Sequence, residues 1–153
     1  MREKFFLAAL FIFIGSAVFA QEEAVSDEEL ERYAVMMDSI DEMRIVLLSE
    51  ISEMVKGTDK ITVSRYNDLS KISDDGAKLQ EAEATPSEIE FLKEIQDLKD
   101  SGTAEINTTF KSLAKDYVGA STYNKVKRAI SEGGETKSKY EEMLNKLKED
   151  NGG

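Results

Sequence analysis

Hydrophobic residues recur at intervals of three and four along two long segments of the chain. In the first, residues 26–56, the apolar positions are Leu30, Tyr33, Met37, Ile40, Leu47, Ile51 and Met54. This spacing predicts an amphipathic helix of about 45 Å, because an α-helix rises 1.5 Å per residue. Ser26 and Glu29 form a capping-box pattern at its start, and Gly57 is the predicted stop.

The second long segment, residues 86–118, repeats this pattern. Thr85 and Glu88 form another capping box, with Pro86 at the first helical position. The apolar series here is Ile89, Leu92, Ile95, Leu98, Ile106, Phe110, Leu113 and Tyr117. Gly102 weakens the middle, since Gly costs about 1 kcal/mol relative to Ala in a helix. We therefore expect one continuous helix up to Gly119, either straight or kinked at Gly102.

A short helix is predicted after each long one. Thr62 is the expected cap of the first, and helical structure is expected to resume over 77–84. Ser121 is the expected cap of the second. Gly133 and Gly134 then interrupt the pattern, and a last helix is expected from about residue 135 to 149.

The shared order of these signals indicates an internal duplication. The caps Ser26 and Thr85 lie 59 positions apart, and a Tyr-Asn pair opens each short helix, at Tyr66 and Tyr123. The competing explanation is coincidence between amphipathic helices, which all share the same spacing. The combined signals predict an all-α fold: an up-down-up-down bundle built from two tandem repeats, about 26–84 and 85–150, within one domain.

The first twenty residues predict a secretory signal peptide. Residues 1–4 are polar with two basic side chains, residues 5–14 are apolar, and small residues precede a cleavage site after Ala20. The competing interpretation is a membrane anchor, but this apolar run is shorter than the roughly 20 residues that a spanning helix needs. We expect export to the periplasm or the medium, a short polar lead over 21–25, and no membrane insertion after cleavage.

Composition excludes several kinds of chemistry. The chain has no Cys and no His, which removes the usual zinc, haem and thiolate sites and the common catalytic triads. Loss of the leader takes away Arg2, Lys4 and Glu3, so 20 basic and 31 acidic residues become 18 and 30, and the formal charge of −11 becomes −12. We expect no cofactor, no metal and no nucleic-acid partner, because such a charge repels phosphate backbones.

Three residues of the first long helix are candidates for binding. Arg44 falls on the apolar series, so we expect its side chain either to extend outward or to meet a carboxylate across the bundle; an anion pocket is the functional alternative. Met36 and Met43 lie seven residues apart on one face. They are either core filling or part of a groove for apolar partners, since Met adapts to varied surfaces.

Residues 26–34, SDEELERYA, follow the predicted leader directly and resemble the opening of a family of exported bacterial proteins. That family is known only as a domain of unknown function, DUF4168. Its later segment with a Phe/Tyr-Asn pair is similar to residues 119–130 and to residues 61–69. This chain has Glu-Gly-Gly-Glu at 132–135 where the family places Asp-Pro-Glu-Leu. The resemblance implies an exported helical protein and supplies no catalytic residues.

The sequence therefore predicts a non-enzymatic helical protein of the bacterial envelope that acts through protein–protein contacts. One alternative is a periplasmic chaperone-like holdase that uses the Met-rich helix. Another is an enzyme that works through carboxylates alone, as glycosidases do. Self-association into a homo-oligomer is a further alternative, since a long apolar series also suits a partner subunit.

Overall fold

The structure, a computed structural model, describes residues 24–150 and contains six α-helices and no strand in that range. The predicted leader with its cleavage site after Ala20 lies outside the described residues. The all-α helical bundle is confirmed. The helices are α1 (Asp27–Gly57), α2 (Val63–Leu69), α3 (Gly76–Glu81), α4 (Pro86–Ser112), α5 (Ala120–Glu132) and α6 (Gly134–Asp150), with a 3₁₀ turn at Ser70–Ile72 and a π-helical segment at Leu113–Tyr117.

The starts of α1, α2 and α4 confirm three predicted caps. Ser26 accepts from the Glu29 amide while the Glu29 carboxylate accepts from the Ser26 amide, and Thr85 and Glu88 make the same reciprocal pair. The Thr62 hydroxyl accepts from the amide of the third residue of α2. Each cap satisfies backbone donors that a helix leaves unpaired, so local chemistry determines where these helices begin.

The two long helices, α1 and α4, pack antiparallel. Ile51 and Val55 near the end of α1 share an apolar core with Phe91 and Ile95 near the start of α4. The other buried members of this first core are Leu92 of α4, Leu69 of α2, Leu79 of α3 and Ile61, which precedes α2. The first core therefore closes one end of the helix pair.

A second core closes the opposite end of the pair, where α5 and α6 pack on the start of α1. Its buried members are Leu30, Tyr33, Met36, Val118 and Val126. The Tyr33 ring lies 5.4 Å from the Tyr123 ring and 5.6 Å from the Tyr140 ring, so one aromatic side chain joins α1, α5 and α6. Burial raises the pKa of Tyr33 to about 12.

Several predicted positions differ in the structure. Ser121 does not cap α5, because Ala120 is already helical and Gly119, with a φ of 91°, is the residue before the helix. Ile89 and Met54, members of the two apolar series, are exposed, whereas Phe91 and Val55 are buried beside them. In α1 the intervals of three and four fall slightly short of 3.6 residues per turn, so the apolar series drifts around the helix and Val55 is buried in place of Met54 at its end.

Helix α4 is continuous through Gly102, as expected, and the π-helical segment follows before Gly119. The tandem duplication stays a prediction. Both halves have a long helix followed by shorter elements, but α6 has 17 residues and α3 has six. Consequently the second half covers α1 more fully than the first half covers α4.

Candidate functional site: a groove between α1 and α4

A groove of about 600 Å³ lies between the middle of α1 and the middle of α4. It lies along the part of the helix pair that joins the two cores. The lining residues are Ser39, Glu42, Met43, Val46, Leu47 and Glu50 of α1 and Leu98, Ser101, Gly102, Glu105 and Ile106 of α4. The groove is therefore built from two continuous helices, which hold its walls at a fixed separation.

Gly102 brings the two helices together at this place. A Cβ atom built on Gly102 would lie 2.6 Å from the Leu47 Cδ1 atom and 2.9 Å from its Cδ2 atom. A side chain at position 102 would therefore require Leu47 to move, since carbon atoms pack at about 3.5–4.0 Å. Leu47 therefore packs directly on the backbone of α4, and this contact shapes the floor of the groove.

The walls of the groove are partly apolar and open to solvent. Val46 is 56% exposed, and Met43 is half-buried beside it. Two further aliphatic side chains of α1, Ile45 and Leu48, are 64% and 66% exposed. Of these three exposed aliphatic residues only Val46 lines the groove, whereas Ile45 and Leu48 lie outside it.

Carboxylates supply all of the charge that lines the groove. Glu42 and Glu50 come from α1, and Glu105 comes from α4 on the opposite wall. No Lys or Arg lines this groove among residues 24–150. Neither Glu50 nor Glu105 forms an ion pair with another residue in that range.

No family model, curated protein or solved structure matches this chain. The role of the groove is therefore inferred from its own residues and their geometry.

The groove contains one of the three residues that the sequence proposed for binding. Met43 lines it. Met36 is fully buried in the second core, at 0% exposure, so its side chain fills space between helices and is not on a surface. The predicted common face of the two Met residues divides because the second core covers α1 at Met36 and does not extend to Met43.

Arg44 lies apart from the groove and points outward. Its side chain is 54% exposed, and its Nη1 atom donates to the Asp41 Oδ1 atom at 2.6 Å on the same helix. The side chain therefore extends outward, which is one of the two structural expectations for Arg44. The other expectation, a carboxylate across the bundle, is not met, because Asp41 lies on the same helix. An exposed pair of this kind contributes only about 0.2–1 kcal/mol.

A second cleft, of about 610 Å³, lies where α5 and α6 meet the start of α1. Two of its basic side chains form ion pairs with the start of α1: Lys125 Nζ lies 2.6 Å from Glu29 Oε1, and Lys139 Nζ lies 3.3 Å from Asp27 Oδ1. The hydrogen bond from Lys125, followed by that from the Ser26 amide, lowers the pKa of Glu29. These pairs tie helices together, so this cleft is explained by the packing of the fold.

A metal site would require several of the acidic side chains in the described residues to lie close together. Within residues 24–150, no three Asp or Glu side chains are grouped closely enough to hold a metal ion. The pKa of Glu88 is lowered, first by the hydrogen bond from Arg65 and then by the Thr85 amide, which is a structural cap.

No helix in this range is both long enough and apolar enough to cross a membrane. The groove is suited to binding an apolar segment.

Sequence reasoning did not identify most of the groove. Val46, Glu50 and Glu105 lie off the apolar series, so spacing alone assigns them to solvent. One signal was present: Gly102 interrupts a strong helical pattern, and a Gly in such a place often marks a close approach of two helices. From the sequence alone, Gly102 predicts only a weak point or a kink in the helix.

Proposed function

We propose that this protein is an exported, non-enzymatic component of the bacterial envelope that binds another protein through the α1–α4 groove. The observation that carries the proposal is Val46, which stays more than half exposed on the wall of a groove that the chain's own helices leave open. Fully burying a Val or Leu side chain contributes about 1.5–3 kcal/mol, so a partner that covers this wall gains free energy.

The dimensions of the groove favour a helical segment as the bound element. The lining runs from Ser39 to Glu50 on α1, which corresponds to about 16 Å along the helix axis. An α-helix of about three turns has that length. Amphipathic helices bind in apolar grooves through residues spaced by three and four, and a groove between two helices extends a bundle by one member.

Export is supported by the leader pattern in residues 1–20, and the non-enzymatic role by the side-chain chemistry. The chain has no His or Cys for proton transfer or nucleophilic attack. Glu50 and Glu105 lie beside apolar side chains on open walls, an arrangement that suits attraction of a partner. These observations support a binding role in the envelope.

The holdase alternative would use the same surface less selectively. Of the Met pair that suggested it, Met36 is in the core and Met43 alone is at the groove. A holdase would suppress aggregation of an unfolded client at equimolar protein. A selective binding protein would not, so an aggregation assay separates the two functions.

Site-specific photo-cross-linking in intact cells tests the proposal. A benzophenone side chain at Ser101, an exposed residue of the groove, is expected to capture one defined protein, whose cross-linked peptide is then identified by mass spectrometry. The matched control carries the same group at Lys137, an exposed position on α6 outside the groove. Absence of an adduct at Ser101, or the same adduct at both positions, would contradict a binding role for the groove.

A further inference from the structure

We propose that the occupant of the groove is a cationic amphipathic helix of about three turns, whose apolar face packs on Val46 and Leu47. This inference rests on the proposed function and specifies the chemistry of the partner. It follows from three observations: the sign of the charges at the groove, their position on both walls, and the apolar surface between them.

The sign of the charge is uniform. The residues that line the groove include three carboxylates, and no Lys or Arg lines it within the described residues. Elsewhere on the molecule acidic residues are interspersed with basic ones; for example, Lys60 pairs with Glu94 at 2.9 Å, and Lys125 with Glu29. Complementary charge accelerates association and selects against partners of the same sign, so an acidic groove favours a basic segment.

The position of the carboxylates matches the two flanks of a helix. Glu50 stands on the α1 wall, and Glu105 stands on the α4 wall. A helix lying between the walls presents residues of its own flanks to each side. A Lys or Arg on one flank of the ligand would reach Glu50, and a basic residue on its other flank would reach Glu105.

The apolar surface between the carboxylates determines which side chains the ligand presents between its two basic flanks. Leu47 on Gly102 forms the floor, with Met43 and Val46 on one side and Leu98 and Ile106 on the other. Met43 gives this surface a flexible, polarizable side chain that adjusts to different apolar residues. Residues spaced by three and four on the ligand would pack here. The ligand therefore has an aliphatic face between two basic flanks.

Free anions and anionic surfaces do not fit the same site. The chain carries a formal charge of −11, and the groove adds local carboxylates to that field. Nucleic acids and anionic lipid would be repelled over roughly a Debye length of 8–10 Å at physiological salt. A cationic protein segment is the class of partner that gains from both the charge and the apolar wall.

Three synthetic helical peptides of about 14 residues test this inference. All share one Leu face, and their polar face carries Lys, Glu or Gln. Fluorescence anisotropy with the full protein at low salt is expected to give a Kd for the Lys peptide about tenfold lower than for the Glu peptide, with the Gln peptide between them. Raising the salt concentration should narrow these differences, because screening weakens exposed charge pairs.

Two double variants show whether the groove is responsible. Glu50→Gln with Glu105→Gln is expected to weaken binding of the Lys peptide about fivefold, whereas Glu31→Gln with Glu81→Gln removes the same charge from exposed positions elsewhere and should change it less than about twofold. Circular dichroism melts serve as the control that both variants fold. Equal weakening by the two double variants would overturn the inference, as would equal affinity for the Lys and Glu peptides.

The outcomes separate this inference from the proposed function. Capture of a defined partner at Ser101 together with no preference for the Lys peptide would leave the binding role in place and reject the cationic helix. Absence of capture at Ser101 would reject the binding role itself. Lys-peptide preference that survives loss of Glu50 and Glu105 would place the cationic site elsewhere on the protein and also reject the inference.

Discussion

Leu47 packs on the backbone of Gly102, and this contact joins the two long helices between the two cores. The Leu47 Cδ1 atom would lie only 2.6 Å from a Cβ atom at Gly102. The two cores lie at opposite ends of the helix pair, and this close approach lies between them. The same contact leaves the groove open beside it, since a larger residue at position 102 would push Leu47 toward that space.

A double-mutant cycle measures the Leu47–Gly102 contact. In the wild-type chain, the gain of about 1 kcal/mol in helix propensity from Gly102→Ala is expected to be cancelled by the clash with Leu47. In a Leu47→Ala background the clash is gone, so Gly102→Ala should stabilise the protein by about 1 kcal/mol. Urea unfolding of the four proteins gives the coupling, expected at about 1–2 kcal/mol. Additive effects would show that the two side chains do not compete for space.

The two candidate Met residues of α1 are expected to respond differently to truncation. Met36→Ala should destabilise the protein by about 2–5 kcal/mol, because it leaves a cavity in the fully packed second core. Met43→Ala should cost less than about 1 kcal/mol, because the side chain is half-buried beside an open groove. Thermal unfolding of both variants measures the two losses of stability. Equal losses for Met36→Ala and Met43→Ala would mean that the groove is filled in the folded protein.

The capping carboxylates give the fold a dependence on acid pH. The pKa values of Glu29 and Glu88 are both lowered from their ordinary value of 4.5, each first by a basic side chain, Lys125 and Arg65 respectively, and then by the cap residue's amide. A carboxyl with a lowered folded-state pKa contributes stability that is fully present above the unfolded-state pKa. That contribution is lost as the pH falls through the folded-state value.

Melting temperatures from about pH 7 to about pH 3 test this dependence. Glu29→Gln with Glu88→Gln keeps a hydrogen-bonding side chain at each cap but removes the charge. The double variant is expected to be less stable than wild type by about 1–2 kcal/mol at pH 7. The difference should shrink below about pH 4.5, where the wild-type carboxylates gain protons. A difference that stays constant over this range would show that the charges of Glu29 and Glu88 do not stabilise the fold.

Much of the fold could be predicted from the sequence because its helix starts are local events. Ser26, Thr62 and Thr85 cap their own helices through side-chain oxygens that reach amides three residues ahead. The prediction of Ser121 as a cap was wrong because Gly119 determines the turn before α5. Gly119 has a positive φ, a backbone conformation that residues with a side chain rarely adopt. The spacing of apolar residues along a helix does not determine at which residue the helix begins.

The groove could not be predicted because it depends on which part of each helix other elements cover. Arg44 lies on the predicted apolar series and yet is exposed, whereas Val46 lies off the series and lines the groove. The second core covers α1 near Met36, and the first core begins near Ile51. The residues between them take their environment from tertiary packing, which the periodicity of one helix does not contain.

Capture of a partner at the groove, with and without the apolar side chain of Val46, tests the central claim most directly. Cells producing the protein with the Ser101 cross-linker and Val46→Glu are expected to lose the adduct, because a carboxylate replaces the apolar contact. The matched control, Val63→Glu, changes an exposed Val of α2 and should retain the adduct. Retention of the adduct in both variants, or its loss in both, would contradict a partner-binding groove between α1 and α4.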